Sequence, residues 1–275
     1  MVFPNSFSWT NWELHPSVIV GLLMLASAYL YGLARLWRQS RKLPVEPWRL
    51  VMTFMGFTTV FLAVQGPLHD LAEGYLFSAH MIQHLMLQFV MPPLILLGTP
   101  GALLWPALKH KGMMRVLRIC VHPLGAFILF NVALVGWHLP PLYDLALENH
   151  NVHISQHVSF MIVGLIAWWP LLGSLEQLPR PHPSVQMLYL FAQSIPMGFL
   201  GAIITFAGEP LYSFYAKGTG IWGISVLTDQ QIGGLIMKSA SGIVLIAVLA
   251  IIFFRWFASE ESARRRLIME HLHWS

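Results

Sequence analysis

Apolar residues along this chain gather into seven stretches, most of them near the roughly 20 residues that carry a helix across the hydrocarbon core of a bilayer. They cover 17–37, 48–65, 76–97, 124–137, 154–172, 185–206 and 232–257. The fourth is short, and the apolar pattern extends it back to about Arg118. Pro92 and Pro93 interrupt the third stretch and Pro196 the sixth; neighbouring helices can re-satisfy the backbone groups that such prolines free. The pattern predicts an all-α integral membrane protein, a seven-transmembrane helix bundle. Residues 1–16 form a tail on one side, 17–257 the membrane domain and 258–275 a tail on the other.

Polar positions between the stretches alternate in sign. Arg35, Arg38, Arg41, Lys42 and Arg49 follow the first, Lys109, Lys111, Arg115 and Arg118 the third, Arg180 the fifth, and Arg255 and Arg264 to Arg266 the seventh. Of the sixteen Lys and Arg residues only Lys217 and Lys238 fall elsewhere. The other links are acidic, with Asp70, Glu73, Asp144, Glu148, Glu209 and Asp229. Cytoplasmic links concentrate positive charge, so the first tail is expected outside and the last in the cytoplasm. Tryptophans follow the interfaces, Trp9, Trp12, Trp137 and Trp222 on the outer side and Trp37, Trp48, Trp105 and Trp256 on the inner.

Composition agrees. Only 10% of the residues are charged, against about 25% in soluble domains, and the mean hydropathy is +0.62. The net charge of +4 follows from topology and does not indicate nucleic-acid binding. Cys120 is the single cysteine, which excludes an intramolecular disulfide and a thiolate cluster made by this chain alone. Residues 1–16 lack the basic stretch of a signal peptide.

Histidine changes the picture most. Of thirteen, eight sort to the outer side: His15, His69, His80, His84, His138, His150, His153 and His157. His80/His84 and His153/His157 each have the i,i+4 spacing that stacks side chains on one helical face, and Gln88 continues the first face one turn deeper. A bilayer keeps ionisable side chains for a purpose. Imidazole is the commonest protein metal ligand, and a carboxylate beside it fixes its tautomer. Two pairs at one depth could enclose one or two ions; zinc, copper and iron all accept imidazole. Single interfacial histidines such as His15 and His150 read as solvated or helix-capping groups. His110, His122, His182, His271 and His273 fall on the cytoplasmic side and need no special role. Met81, Met86, Met91, Met197 and Met237 would suit Cu(I), though methionine in a bundle is mainly packing. Lys238 lies inside the seventh stretch without a visible partner.

Several long motifs resemble a known family. They run from Gly66-Pro67-Leu68-His69-Asp70-Leu71-Ala72-Glu73 through Ser78-Ala79-His80-Met81-Ile82-Gln83-His84 and Leu97-Gly98-Thr99-Pro100. Trp137-His138-Leu139-Pro140, Leu142-Tyr143-Asp144, His153, Gln156-His157, Trp168-Trp169-Pro170-Leu171 and Asp229-Gln230-Gln231-Ile232-Gly233-Gly234 follow. Over about residues 50–255 the chain is similar to the multi-spanning CtaG family of cytochrome c oxidase assembly factors, found with caa-type oxidases. The resemblance implies a non-enzymatic protein of the bacterial inner membrane that helps to make active haem–copper oxidase, plausibly by handling copper on the outer side. Its partners would be oxidase subunits or copper chaperones there. The implied ligand set is His69, His80, His84, His138, His153 and His157, with Asp70, Glu73, Asp144 and Asp229 around it. Lys238 stands where the family pattern has an aromatic residue.

Other classes fit parts of the pattern. An intramembrane zinc hydrolase would use His80 and His84 with Asp70 and Ser78 around a metal-activated water, but no Glu stands between the paired histidines as in soluble zinc proteases. A haem-binding carrier would find both pairs at one depth, with room for one haem. A scaffold without metal would use the histidines as a hydrogen-bonded network between helices.

Overall fold

Prolines start six of the thirteen α-helices among the described residues and bend or break others. A computed structural model of the chain describes residues 7, 15–40, 45–217 and 221–273. Most of the expected first tail, with Trp9 and Trp12, lies outside the described residues, as do Arg41 and Lys42. Helices α1 (Pro16–Ser40), α2 (Pro47–Val64) and the short α3 (Pro67–Gly74) all open on proline, whose fixed φ and missing N–H suit a first helical turn.

The third predicted stretch is broken into α4 (Phe77–Leu85), a π-helical turn (Met86–Val90) and α5 (Met91–Gly98). The break has a clear cause. In the α register Pro92 would have to donate to the Gln88 carbonyl, and in the π register Pro93 would; neither has an N–H. The indole of Trp168 donates to that carbonyl instead, at 2.9 Å. The wide turn begins two residues after His84.

Next come α6 (Gly101–Leu108), α7 (Lys111–Cys120) and α8 (Pro123–His138). The fourth stretch does not reach back to Arg118 as one helix: α7 and α8 meet at 74°. A residue before proline is pushed out of the helical region, and His122, at ψ 139°, sits before Pro123 and accepts from Leu124 N at 3.3 Å. His182 does the same before Pro183, accepting from Ser184 N at 3.3 Å. The rest are α9 (Pro140–Glu148), α10 (His150–Leu172), α11 (Pro183–Thr205), α12 (Ser213–Ala216) and α13 (Val226–His273). Among the described residues six helical stretches are long and apolar enough to cross a membrane, and the bent pair α7–α8 makes a seventh if counted as one span.

Helix α10 runs through the middle, against α5, the π turn, α8 and α9, while α11 and α13 pack along each other and α13 also lies on α4. The buried core includes Phe77, Phe89, Phe130, Leu134, Trp168 and Leu190, whereas Phe199, Phe206 and Ile243 on the outside are largely exposed, as lipid-facing residues are. Met81, Met197 and Met237 are buried in this core and Met91 in a smaller one, so these methionines serve packing. Helix α1 sits at the edge, tied by the Tyr29 hydroxyl to Gly98 O at 3.0 Å.

Charge divides the bundle into two ends. Arg49 donates to Leu97 O and Arg180 to Gly173 O, each at 2.9 Å. Burial, then the charges of Arg255 and Arg49, lowers the pKa of Arg180, so these three cations share the basic end. The histidine end lies opposite.

Two helices approach each other through glycine. A Cβ on Gly234 would stand 2.7 Å from Thr205 N and 2.8 Å from Gly201 O. Both are backbone atoms that cannot swing aside. Gly234→Ala is therefore expected to destabilise the protein by about 1–3 kcal/mol, whereas Gly242→Ala, with nothing within 4 Å of its Cβ, is not. Thermal unfolding of the two variants in detergent checks this.

Candidate metal centre

Three imidazoles converge inside the histidine end. His80 and His84, one turn apart on α4, meet His157 from α10, and ligand nitrogens of the three lie within 4.8 Å of one another. His80 is 0% exposed, His84 3% and His157 6%. Their rings touch on several sides: 4.3 Å separates the ring centres of His80 and His84, 5.8 Å those of His84 and His157, and 6.0 Å those of His80 and His157. Helix α10 comes this close because Gly164 faces the π turn, where a Cβ would stand 2.9 Å from Pro92 Cγ and 3.3 Å from Gln88 Cα.

Neighbours decide which nitrogen carries the proton in three of the rings at this end, those of His80, His138 and His153. Nδ1 of His80 lies 3.2 Å from the Tyr215 hydroxyl, which gives its own proton to Ala72 O at 2.6 Å. The hydroxyl can then only accept from His80, so the lone pair of His80 is on Nε2. Nδ1 of His138 lies 2.7 Å from Leu134 O, a group that only accepts, and its lone pair is likewise on Nε2. His153 donates from Nδ1 to Glu73. The Nε2 atoms of His80, His138, His153 and His157, and both nitrogens of His84, are buried without a hydrogen-bond partner among the described residues. Such nitrogens are ready donors to a cation.

The other expected site residues divide. His138 stands 5.6 Å from His84 by ring centres and His153 4.2 Å from His157 and 5.3 Å from His80, so both border the three. Both nitrogens of His69 are engaged: Nε2 donates to Glu73 at 3.1 Å and Nδ1 accepts from Gln83 at 3.0 Å. Glu73 thus bridges His69 and His153. Asp70 lies in the first turn of α3, and after burial its charge is what raises the pKa of Tyr75. Asp144 and Asp229, expected around the imidazoles, hold backbone N–H groups at helix starts instead. Asp144 accepts from Ser213 N and Phe214 N, both at 3.1 Å, and from the Ser213 hydroxyl at 2.6 Å. Asp229 accepts from Phe77 N at 2.6 Å, from Ser78 N at 3.3 Å and from the Ser78 hydroxyl. The first N–H groups of a helix have no internal acceptor, which draws a carboxylate there. Ser78, the hydroxyl a hydrolase would need beside His80, is held by Asp229.

Sequence reasoning missed Tyr215, 135 positions from His80, and set aside His15 and His150. The structure brings both of these to the cluster: the ring of His15 is 4.8 Å from that of His69 and 5.7 Å from that of His150. A close reading of the outer-side tyrosines in the link after the sixth stretch could have pointed to Tyr215.

The profile of a family described as cytochrome c oxidase caa3 assembly factor (Caa3_CtaG) matches residues 27–259. An uncharacterised protein of Mycobacterium leprae is 27% identical over 265 residues, 90% of this chain and 40% of that protein. An uncharacterised protein of Mycobacterium bovis is 26% identical over 275 residues, 94% of this chain and 41% of that protein. The chain therefore spans about two-fifths of the length of the curated relatives it matches. No solved structure matches it.

Two outcomes follow. Asp229→Ala leaves the start of α4 uncapped and is expected to cost about 1–2 kcal/mol, read as a lower unfolding midpoint, with Asp229→Asn recovering part of it. Acid acts through α3. Burial, opposed by Glu73, lowers His69 from 6.5 to about 4. Burial raises Glu73, but the His153 hydrogen bond and the His69 charge outweigh it and hold the carboxylate below its usual value. Between these values the unfolded chain binds the His69 proton and the folded one does not, so stability is lost as pH falls from 6.5 toward about 4; loss of the Glu73 carboxylate at lower pH acts in the same direction. Thermal unfolding between about pH 7 and pH 5 should show a falling midpoint, with a smaller fall in His69→Gln.

Proposed function

Because this chain belongs to the cytochrome c oxidase caa3 assembly factor family, we propose that its part in building that oxidase is to hold copper as cargo and release it to a partner. The ion sits at His80, His84 and His157. What carries the reading is one observation: three buried imidazoles whose ligand nitrogens lie within 4.8 Å of one another. Ions of this class hold imidazole nitrogen at about 2.0–2.1 Å, so binding draws the rings slightly together. Imidazole alone suits several metals; the oxidase this family serves needs copper, and a set of imidazoles without thiolate leaves the ion exchangeable.

The chain's own groups prepare the site. Tyr215 holds the His80 lone pair inward, and the Leu134 carbonyl and Glu73 do the same for His138 and His153. Aromatic rings of Phe160 and Tyr143, 4.6 Å from His84 and 5.3 Å from His80 by ring centres, keep water out. The protein lies in the bacterial inner membrane with the histidine end outward and the basic end in the cytoplasm, following the bias of Lys and Arg. Its partners are then oxidase subunits or copper chaperones on the outer face. The substrate is an ion that is moved and not converted, so the protein is not an enzyme.

Copper analysis of the purified protein, loaded with Cu(I) under reducing conditions, tests this. Wild type should retain stoichiometric copper, and His80→Ala/His84→Ala/His157→Ala should lose it together with oxidase activity in a host lacking the gene. Tyr215→Phe should weaken binding by about tenfold or more, as loss of a group that orients a ligand does. Equal copper content in wild type and the triple variant would return the histidines to a structural role.

A further inference from the structure

The three converging imidazoles are the inner end of a longer series. All eight histidines of this end form one connected string, with ring centres 5.7 Å apart from His150 to His15, 4.8 Å to His69, 5.9 Å to His153 and 4.2 Å to His157. Exposure falls along it: His150 is exposed and His15 half-buried, while His69 and His153 are 4% exposed and His80 0%. We propose that His150 and His15 are the inlet of this site, capturing the ion at the surface and passing it through His69 and His153 to His80, His84 and His157. The inference rests on the metal reading above.

Neither inlet residue is explained by a local role. His150 is not the cap of α10, because Asn149 takes that place and accepts from Asn151 N at 3.0 Å and Val152 N at 3.3 Å. His15 is clamped by the buried Gln65, which accepts from His15 N at 2.8 Å and donates to His15 O at 3.1 Å. The clamp fixes the backbone, while Nδ1 of His15 is buried without a hydrogen-bond partner among the described residues. His15 also precedes the stretch 27–259 that the family profile matches, so nothing in that match assigns it.

The side of the cluster at His80 and His138 is closed. Tyr143, Tyr212 and Phe77 stack against one another, with ring centres 4.1 Å and 5.0 Å apart, and Tyr143 lies 5.3 Å from His80. The Tyr212 hydroxyl donates to His138 O at 3.2 Å. These rings cover His80 and His138, whereas the string opens to the surface at His150 and, in part, at His15. Each step along the string is a ligand exchange: one metal–nitrogen bond forms as another breaks, and the valence of the ion does not change. At His69 the ion displaces the Gln83 N–H from Nδ1, and Gln83 keeps its second acceptor, Ala63 O, at 2.5 Å. His69 is therefore the slow station, and the inlet serves to raise the ion's local concentration beside it.

The test compares rate with final content in the full chain in detergent. Cu(I) is offered from a coloured chelator complex, and its transfer is followed in time for wild type, His15→Gln/His150→Gln and the basic-end control His182→Gln. The double variant is expected to load about tenfold more slowly, an increase of about 1.4 kcal/mol in the barrier, and to reach the wild-type content at long times. The control should load like wild type. Loading of the double variant at the wild-type rate overturns the inlet and leaves the copper reading standing. A final content as low as that of the triple variant, with the unfolding midpoint unchanged, makes His15 and His150 ligands of the site and also overturns the inlet. A wild type that takes up no copper overturns the copper reading and the inlet with it.

Discussion

A neutral imidazole has one N–H and one lone pair, and in an interior without water each needs its own destination. At the histidine end three acceptors settle the matter: the Tyr215 hydroxyl, the Leu134 carbonyl and the Glu73 carboxylate. Each takes an Nδ1 proton and leaves an Nε2 lone pair facing other imidazoles. A buried nitrogen without a partner costs about 1–3 kcal/mol, which a cation offsets and another apolar side chain does not. The arrangement is intelligible as a ligand set and hard to understand as packing.

The acceptors would be useless on a loose frame. Two adjacent prolines open the third span at a π turn just past His84, and Trp168 from α10 takes the carbonyl they strand. The same contact, with Gly164 beside it, fixes how closely His157 approaches His84. Asp229 reaches from α13 to cap the start of α4, so the helix bearing His80 and His84 is pinned at its beginning as well as at its break. Backbone repair and placement of the site are accomplished by the same residues.

Much of this was legible in the sequence, and the rest was not for a physical reason. Hydropathy predicted the spans, and i,i+4 spacing put His80 and His84 on one face. The misplaced start of the fourth span was also readable, since His122 precedes a proline and cannot continue a helix easily. Selection of His157 over His153 for the inner three was not readable. It depends on how near each ring comes to His80 and His84 once the helices pack, and His157 is the one whose nitrogen lies within 4.8 Å of both. Tyr215 is remote for the same reason, as are the contacts of His15 with His69 and His150. Asp144 and Asp229 look in sequence like partners for histidine, and only the fold shows that unsatisfied helix starts claim them first.

Helix α8 has 16 residues, which at about 1.5 Å per residue gives a length of about 24 Å, against a hydrocarbon core of about 30 Å. Its basic end is fixed at the interface by the sharp turn into α7, whose Lys111, Arg115 and Arg118 form one polar stripe along an otherwise apolar helix. The shortfall therefore falls at the other end, where His138 closes the helix and α9 and α12 fold over it. A bilayer around this bundle would meet protein over that depth and form a shallow basin beside the histidines. On the proposed reading, an ion arriving at its floor would already have crossed part of the membrane's thickness without meeting hydrocarbon.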